Sequence, residues 1–366
     1  MKPLKLKLTA LAGVLLGLFI AISTVHAAED RLNKTIDKEF EAPAGTLVSI
    51  KNRFGRVNIE NWDKDIVSIN VIVTVEHPNR ERAEKMLAAI SVSLEKVGNE
   101  IVAVTTIDEK LMNSIGGNIL GSSSKEIKID YSVKMPKHLN LSLYNKFGDV
   151  FINEITGHAK IEIKYGNLKA NRIIYGNLAP LSSLTLGYGN ANIEEADWLK
   201  LDIKYSNVSI TKCRALAVLS KYSKINVEQS SSIVVDSKYD NFILGQVSNI
   251  IGESGYTNYK IERMDKKLDI TSKYGDVKIA TVPASFELIR FNGGYSSINA
   301  PISESASYTL NGVAAYGSIT YGSVNRVSRI EGNTKTEVAG TVGDESKATA
   351  KVIVNIKYGN ARFKGE

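Results

Sequence analysis

Apolar and polar residues alternate with period two along most of this chain, the pattern of strands buried on one face. In "LDIKYSNVSI" Leu201, Ile203 and Tyr205 alternate with Asp202 and Lys204. After Ser206-Asn207 the alternation resumes in shifted phase at Val208 and Ile210. "LDITSKYGDVKI" does the same, with Ile270, Ser272 and Tyr274, then Gly275-Asp276, then Val277 and Ile279. Each unit predicts a strand, a two-residue corner and a second strand. The corner needs a sharp bend, which Gly permits and Asn or Asp tolerates through the left-handed region.

The unit recurs. Tyr165, Tyr175, Tyr188, Tyr205, Tyr222, Tyr239, Tyr256, Tyr274, Tyr295, Tyr316, Tyr321 and Tyr358 each open it, and Phe54 and Phe147 begin the same pattern in "RFGRVNI" and "KFGDVFI". From Tyr188 to Tyr256 the interval is 17 residues four times running, then 18 to Tyr274, then 21 and 21. A fixed period near 20 is the mark of a solenoid. Two strands fill 17 residues and leave no room for a helical crossover. The repeats therefore predict an all-β fold, a parallel β-helix or β-solenoid whose strands stack about 4.8 Å apart. The register is irregular at Tyr175 and between Tyr316 and Tyr321, and Val324 to Ser346 lacks the motif.

Two ladders follow from stacking identical positions. Tyr188, Tyr205, Tyr222, Tyr239, Tyr256 and Tyr274 share the phase of the inward aliphatics, so their rings should pile up at the corner, partly buried. Two residues later stand Asn167, Asn177, Asn190, Asn207, Asn241, Asn258 and Asn360, whose amides can hydrogen-bond along the axis. Both ladders read as structural.

Residues 28–140 differ. Val67, Ile69, Val71, Val73 and Val75 make one long alternating strand, and "HPNRERAEKMLAAI" predicts a short amphipathic helix capped by Asn79. Two strands joined near Gly98-Asn99 and a third, "EIKIDYSVKM", complete a small strand-rich domain, with "NSIGGNILGSSS" as a flexible loop. It sits where a solenoid needs its end covered. Residues 141–366 are then the solenoid. The chain stops at "IKYGNARFKGE", so the final coil is expected to be an open end and a site of end-to-end self-association.

Residues 1–27 read as a secretory signal peptide. Lys2, Lys5 and Lys7 precede an apolar run from Leu8 to Ile22, and Val25-His26-Ala27 is a small-x-small cleavage site. Nothing later is long and apolar enough to span a bilayer, so the chain is expected to be exported, to the periplasm, the extracellular space or the cell surface. Without the leader's lysines, 43 basic residues face 39 acidic ones, too even a balance to suggest nucleic acid. The single cysteine, Cys213, has no internal partner and reads as a small buried hydrophobe.

Catalytic chemistry is not written in the chain. Polysaccharide-active β-helices need clustered carboxylates on adjacent coils, whereas at the tyrosine corners only Asp240 and Asp276 are acidic, on non-adjacent coils. His77, His138 and His158 share no metal-ligand spacing, and no phosphate loop, nucleophile elbow or calcium repeat occurs. No cofactor, metal site or catalytic residue is expected. One feature stands out. Lys146, Lys164, Lys204, Lys221, Lys238, Lys273 and Lys357 each precede the aromatic, and by alternation they point outward as a basic stripe. Such a stripe suits an acidic polysaccharide or another envelope component, with Lys164, Lys204, Lys221, Lys238 and Lys273 as the candidate ligand residues. The alternative is a solvated ladder that keeps sheets from associating.

Strand-forming sequence ending in "VKMPKHLNLSLYNKFGDVFINEITG" and running into "YGN" units resembles the exported bacterial family of "putative adhesins" with β-strand repeats, from about Glu39 to Glu366. The resemblance implies a β-solenoid with no catalytic residues to carry over. The functional expectation is a non-catalytic binding or adhesion module of the cell envelope. A polysaccharide-active β-helix enzyme and a purely structural envelope protein are the alternatives.

Overall fold

The computed structural model describes residues 30–114, 127–176, 179–322 and 324–365. The expected signal peptide, Asn177 and most of the 113–124 loop lie outside them. Among the described residues 26 strands join one continuous sheet that coils on itself, so the chain is an all-β solenoid.

The coiling begins earlier than the tyrosine motif. β1 (Asp30–Glu41) precedes β2 (Leu47–Arg53) and β3 (Val57–Asn61), which form the first coil around Phe54. Next come β4 (Ile66–His77), α1 (Arg80–Ala88), β5 (Ile90–Val97), β6 (Glu100–Ile107), α2 (Glu109–Ser114) and β7 (Ile127–Met135). These cover the coil's outer edges. β6 lies parallel to β2 and carries β5 antiparallel, while β7 lies parallel to β3 and carries β4 and β1 antiparallel. The antiparallel strands end the parallel stack. Asn79 caps α1 as expected, its Oδ1 accepting the Arg82 N–H at 2.9 Å. α1 buries Ala83 and Met86. The six-residue α2, which the sequence pattern does not announce, starts where Asp108 Oδ1 accepts the Lys110 and Leu111 N–H groups.

β8 (Asn140–Lys146) and β9 (Val150–Ile155) stack directly on β2 and β3. β10 (Ala159–Lys164), β11 (Leu168–Ile173) and β12 (Ser182–Gly187) continue the pile. From β13 (Asn190–Lys204) each coil is almost one unbroken strand: β14 (Asn207–Lys221), β15 (Lys224–Lys238), β16 (Asn241–Gly255) and β17 (Asn258–Lys273). Register advances 17 residues per coil, so Asn190, Asn207, Lys224, Asn241 and Asn258 lie in one row. The 18-residue step into β17 is a bulge beyond Val247. Inward rows such as Leu199, Leu216, Ile233, Ile250 and Leu268 form the axial core, all essentially buried. Cys213 belongs to it, and burial pushes its thiol up to about 12.

The C-terminal end reverses the expected order. β18 (Val277–Thr281) stacks on β17. β19 (Leu288–Gly294) and β20 (Ile298–Asn299) make the coil around Tyr295, with β20 stacked on β18, and β21 (Tyr308–Ala315) with β22 (Ser318–Thr320) make the coil around Tyr316. The motif-free segment is an antiparallel pair, β23 (Val324–Glu331) and β24 (Lys335–Val342), laid against β21. The chain then returns. β25 (Ala350–Lys357) inserts between β19 and β21, parallel to both, and β26 (Asn360–Arg362) inserts between β20 and β22. The "IKYGNARF" coil is therefore interior, and the expected open final coil does not stand at the end of the stack. β23 stands there.

Candidate functional site

The corner is built differently from the sequence expectation. The residue with left-handed backbone is the aromatic itself. Phe54, Phe147, Tyr165, Tyr188, Tyr205, Tyr222, Tyr239, Tyr256, Tyr274, Tyr295, Tyr316 and Tyr358 all have φ between 52° and 64°. Their N–H groups continue the ladder, as Tyr205 N–H donates to the Lys221 carbonyl and Tyr222 N–H to that of Lys238, both at 3.1 Å. Placing the bend on the ring residue flips its Cβ away from the inward phase of Leu201 and Ile203. The ten ladder tyrosines are consequently 40–56% exposed: stacked and partly buried as expected, but turned out of the inward row in which period-two phase places them.

The residue after the ring answers a different demand. A Cβ on Gly166 would lie 2.0 Å from the Gly148 carbonyl oxygen, and one on Gly189 would lie 1.9 Å from that of Gly166. Glycine is there for backbone approach, not for the bend. Where the coils hold Ser206, Ser223, Asp240 and Thr257, the side chains turn inward and are buried. They form a second ladder. Ser206 N–H donates to Ser223 Oγ at 3.3 Å, Ser223 N–H to Asp240 Oδ1 at 2.7 Å and Asp240 N–H to Thr257 Oγ1 at 3.3 Å.

The rings form one axial stack with centroids 4.7–5.2 Å apart and planes within 18° of parallel. The expected row of Tyr188, Tyr205, Tyr222, Tyr239, Tyr256 and Tyr274 is present and unbroken. Tyr175 and Tyr321 are not in it; Tyr175 meets His158 edge-on instead. At this spacing each ring face is taken by its neighbour, so ligands meet ring edges and hydroxyls. Bases that stack on aromatic faces find no gap. Arg53 closes one end of the stack, its guanidinium 4.7 Å over Phe54 and its Nη1 2.8 Å from Glu109.

The lysines lie where alternation places them. Lys164, Lys204, Lys221, Lys238 and Lys273 are all exposed, one position before the ring. Their row runs Arg53, Lys146, Lys164, Gly187, Lys204, Lys221, Lys238, Gly255, Lys273, Gly294, Lys357. Glycines thus divide the stripe and relieve like-charge stacking. Lys164 Nζ pairs with Glu162 at 3.1 Å, and that hydrogen bond holds its ammonium above the ordinary lysine range. On the other side of the rings, the amide ladder holds where Asn190 Nδ2 donates to Asn167 Oδ1 and Asn207 Nδ2 to Asn190 Oδ1, both at 2.9 Å. Lys224 interrupts it. Sequence spacing missed Lys224 because it follows the ring by two residues instead of preceding it by one.

The far corner of the same coils contrasts with this edge. There Arg172 bridges Glu154 and Glu195 at 2.9 and 3.0 Å, Arg214 pairs with Asp197 at 2.7 Å and Arg263 with Asp265 at 2.6 Å. Its cations are neutralised. Among the described residues no cluster of three or more His, Cys, Asp or Glu side chains is arranged to hold a metal, and no helix is long and apolar enough to cross a membrane.

No family model and no curated protein sequence matches the chain. Solved structures do. A "putative lipid binding protein" from Parabacteroides distasonis is 10% identical, with a TM-score of 0.41 over 73% of this chain and 96% of the other. A "putative cell adhesion protein" from Clostridium sporogenes is 10% identical, with a TM-score of 0.22 over 92% of this chain and all of the other. A "putative adhesin" from Bacteroides fragilis is 12% identical, with a TM-score of 0.22 over 90% and 96%. The solenoid itself rests on this chain's own strand registers.

Proposed function

We propose that this chain is an exported, non-catalytic binding module of the cell envelope whose tyrosine–lysine edge holds an acidic polysaccharide. The observation that carries the reading is the unbroken row of half-exposed tyrosines between a lysine row and an amide row. Their left-handed backbone costs about 1–2 kcal/mol per residue, which ring stacking of about 0.5–1.5 kcal/mol and the half-burial of each ring offset. Gly or Asn would fill the same corners with less strain. An exposed edge of phenols, amides and ammonium groups fits hydrogen bonding to sugar hydroxyls and attraction to sugar carboxylates. Strain kept at a surface is a pointer to function.

The test is direct binding of the chain without residues 1–27 to a polyuronate and to a neutral glucan across ionic strength. The expected result is binding to the polyuronate alone, weakening as salt screens the exposed ammonium groups. Changing Lys204, Lys221 and Lys238 together to Gln should abolish it. Unchanged binding by that triple variant, or none by the parent at any salt concentration, leaves the solvated-ladder reading in its place.

A further inference from the structure

The basic stripe is not uniform, and its interruptions mark out one discrete site. Lys204, Lys221 and Lys238 occupy three successive rungs, with Gly187 on one side and Gly255 on the other. None of the three has an ion-pair partner among the described residues, unlike Lys164 with Glu162 or Arg53 with Glu109. Beside them stand Tyr205, Tyr222 and Tyr239. Beyond the rings runs a groove of about 510 Å³ floored by Ser206 and Ser223, with Asn207, Lys224 and Asn241 along it. Lys224 is exposed, is likewise without an ion-pair partner among the described residues, and replaces an Asn only in this coil between Asn207 and Asn241. Four free ammonium groups thus surround Tyr222, three on one bank and one on the other.

Resting on the polyanion reading above, we infer that the binding unit is this four-lysine site spanning three coils, and that it takes a short run of consecutive acidic sugars. Rungs about 4.8 Å apart match the length of one pyranose in an extended chain. Three lysines therefore address three successive carboxylates, and Lys224 reaches across the phenols to the ligand's other side. A lysine ammonium is a compact point charge without a bidentate fork; the Tyr hydroxyls and Asn amides supply the directional contacts. Lys273 and Lys357 each sit between glycine or alanine rungs and lie outside the unit.

The experiment is titration with oligouronates of defined length, from the dimer upward, and with the polymer. Affinity should rise up to about three or four units and then level off. Lys224→Gln and Lys221→Gln should each weaken binding roughly fivefold, while Lys273→Gln and Lys357→Gln should stay within about twofold. Affinity that climbs steadily with length, or a Lys224→Gln variant that binds like the parent, overturns the localised site while leaving the polyanion reading intact. Failure of every oligomer and of the polymer overturns both.

Discussion

Tyr358 stacks on Tyr295 with ring centroids 4.7 Å apart, and Tyr316, the next motif tyrosine after Tyr295 in the chain, stacks on the far side of Tyr358 at 4.9 Å. The last coil is a wedge between two coils made before it. It follows that removing residues 345–366 should not simply shorten the stack. β19 would lose its partner on one side and β21 on the other, each exposing a row of unpaired backbone groups. Hydrogen exchange should then become fast in both 288–299 and 308–320. Protection retained in 288–299 would mean that the coils re-stack without the wedge.

The ring ladder gives a sharper test at a single position. Tyr222 touches Tyr205 and Tyr239 at 5.0 and 4.8 Å, so Tyr222→Ala loses two stacks, about 1–3 kcal/mol in total. Tyr222→Gly loses the same ring but adopts the left-handed backbone freely, and relief of strain should recover about 1 kcal/mol. The glycine variant should be the more stable of the two in urea unfolding. The ordinary cost of a flexible residue predicts the opposite order.

How much of this was legible beforehand can be argued from the same residues. Alternation at Leu201, Ile203, Val208 and Ile210 predicted the strands and their burial, because side-chain direction along a strand is local. The interval from Tyr188 to Tyr256 predicted the stack, because equal coils demand equal lengths. The direction of Tyr205 was not legible. Period-two phase holds only while the backbone stays extended, and the left-handed turn falls on the ring residue itself. Nor was the placement of Tyr358 legible, since the antiparallel excursion of β23 and β24 reorders coils that sequence counts in series. Tyr175 and Tyr321 carry the motif's letters without a coil beneath them to stack on. Lys224 joins the candidate site only through register, which pairs it with Asn207 and Asn241.

Asp240 stands among buried hydroxyls at 1% exposure, its Oδ2 accepting from Ser220 Oγ at 2.6 Å and its Oδ1 from the Ser223 N–H. Burial pushes its carboxyl above the ordinary range, against the opposing effect of those hydrogen bonds. A raised folded-state pKa means that stability is intact below the unfolded value and is lost as pH rises through the folded one. Asp240→Asn should therefore match the parent in acid and exceed it at neutral pH, by roughly 1 kcal/mol. Thermal unfolding from acid to neutral pH reads this directly; a variant less stable than the parent at neutral pH would show that the hydrogen bonds outweigh desolvation.

Of the strands that end the stack at the C-terminal end, β23 with eight residues and β22 with three, β23 offers the longer edge for self-association. Among the described residues this strand pairs only with β24, so its other edge presents free backbone groups along the solenoid axis. At the opposite end the facing edges of β1 and β5 are guarded by side chains: Lys38 Nζ donates to the Leu94 carbonyl at 3.0 Å and Lys96 Nζ to that of Glu41 at 2.7 Å. β23 relies on charge instead. Arg326 and Arg329 are exposed along it, paired with Glu345 and Glu331, and an antiparallel pairing of two copies centred on this stretch would bring them together. We expect the parent chain to form end-to-end dimers only at high concentration. Arg326→Val, which removes one charge and adds strand propensity beside the exposed Ile330, should shift dimerisation to lower concentration by about tenfold or less. Sedimentation velocity over a wide concentration range measures this. Identical profiles for the two proteins would place any end-to-end contact elsewhere than β23.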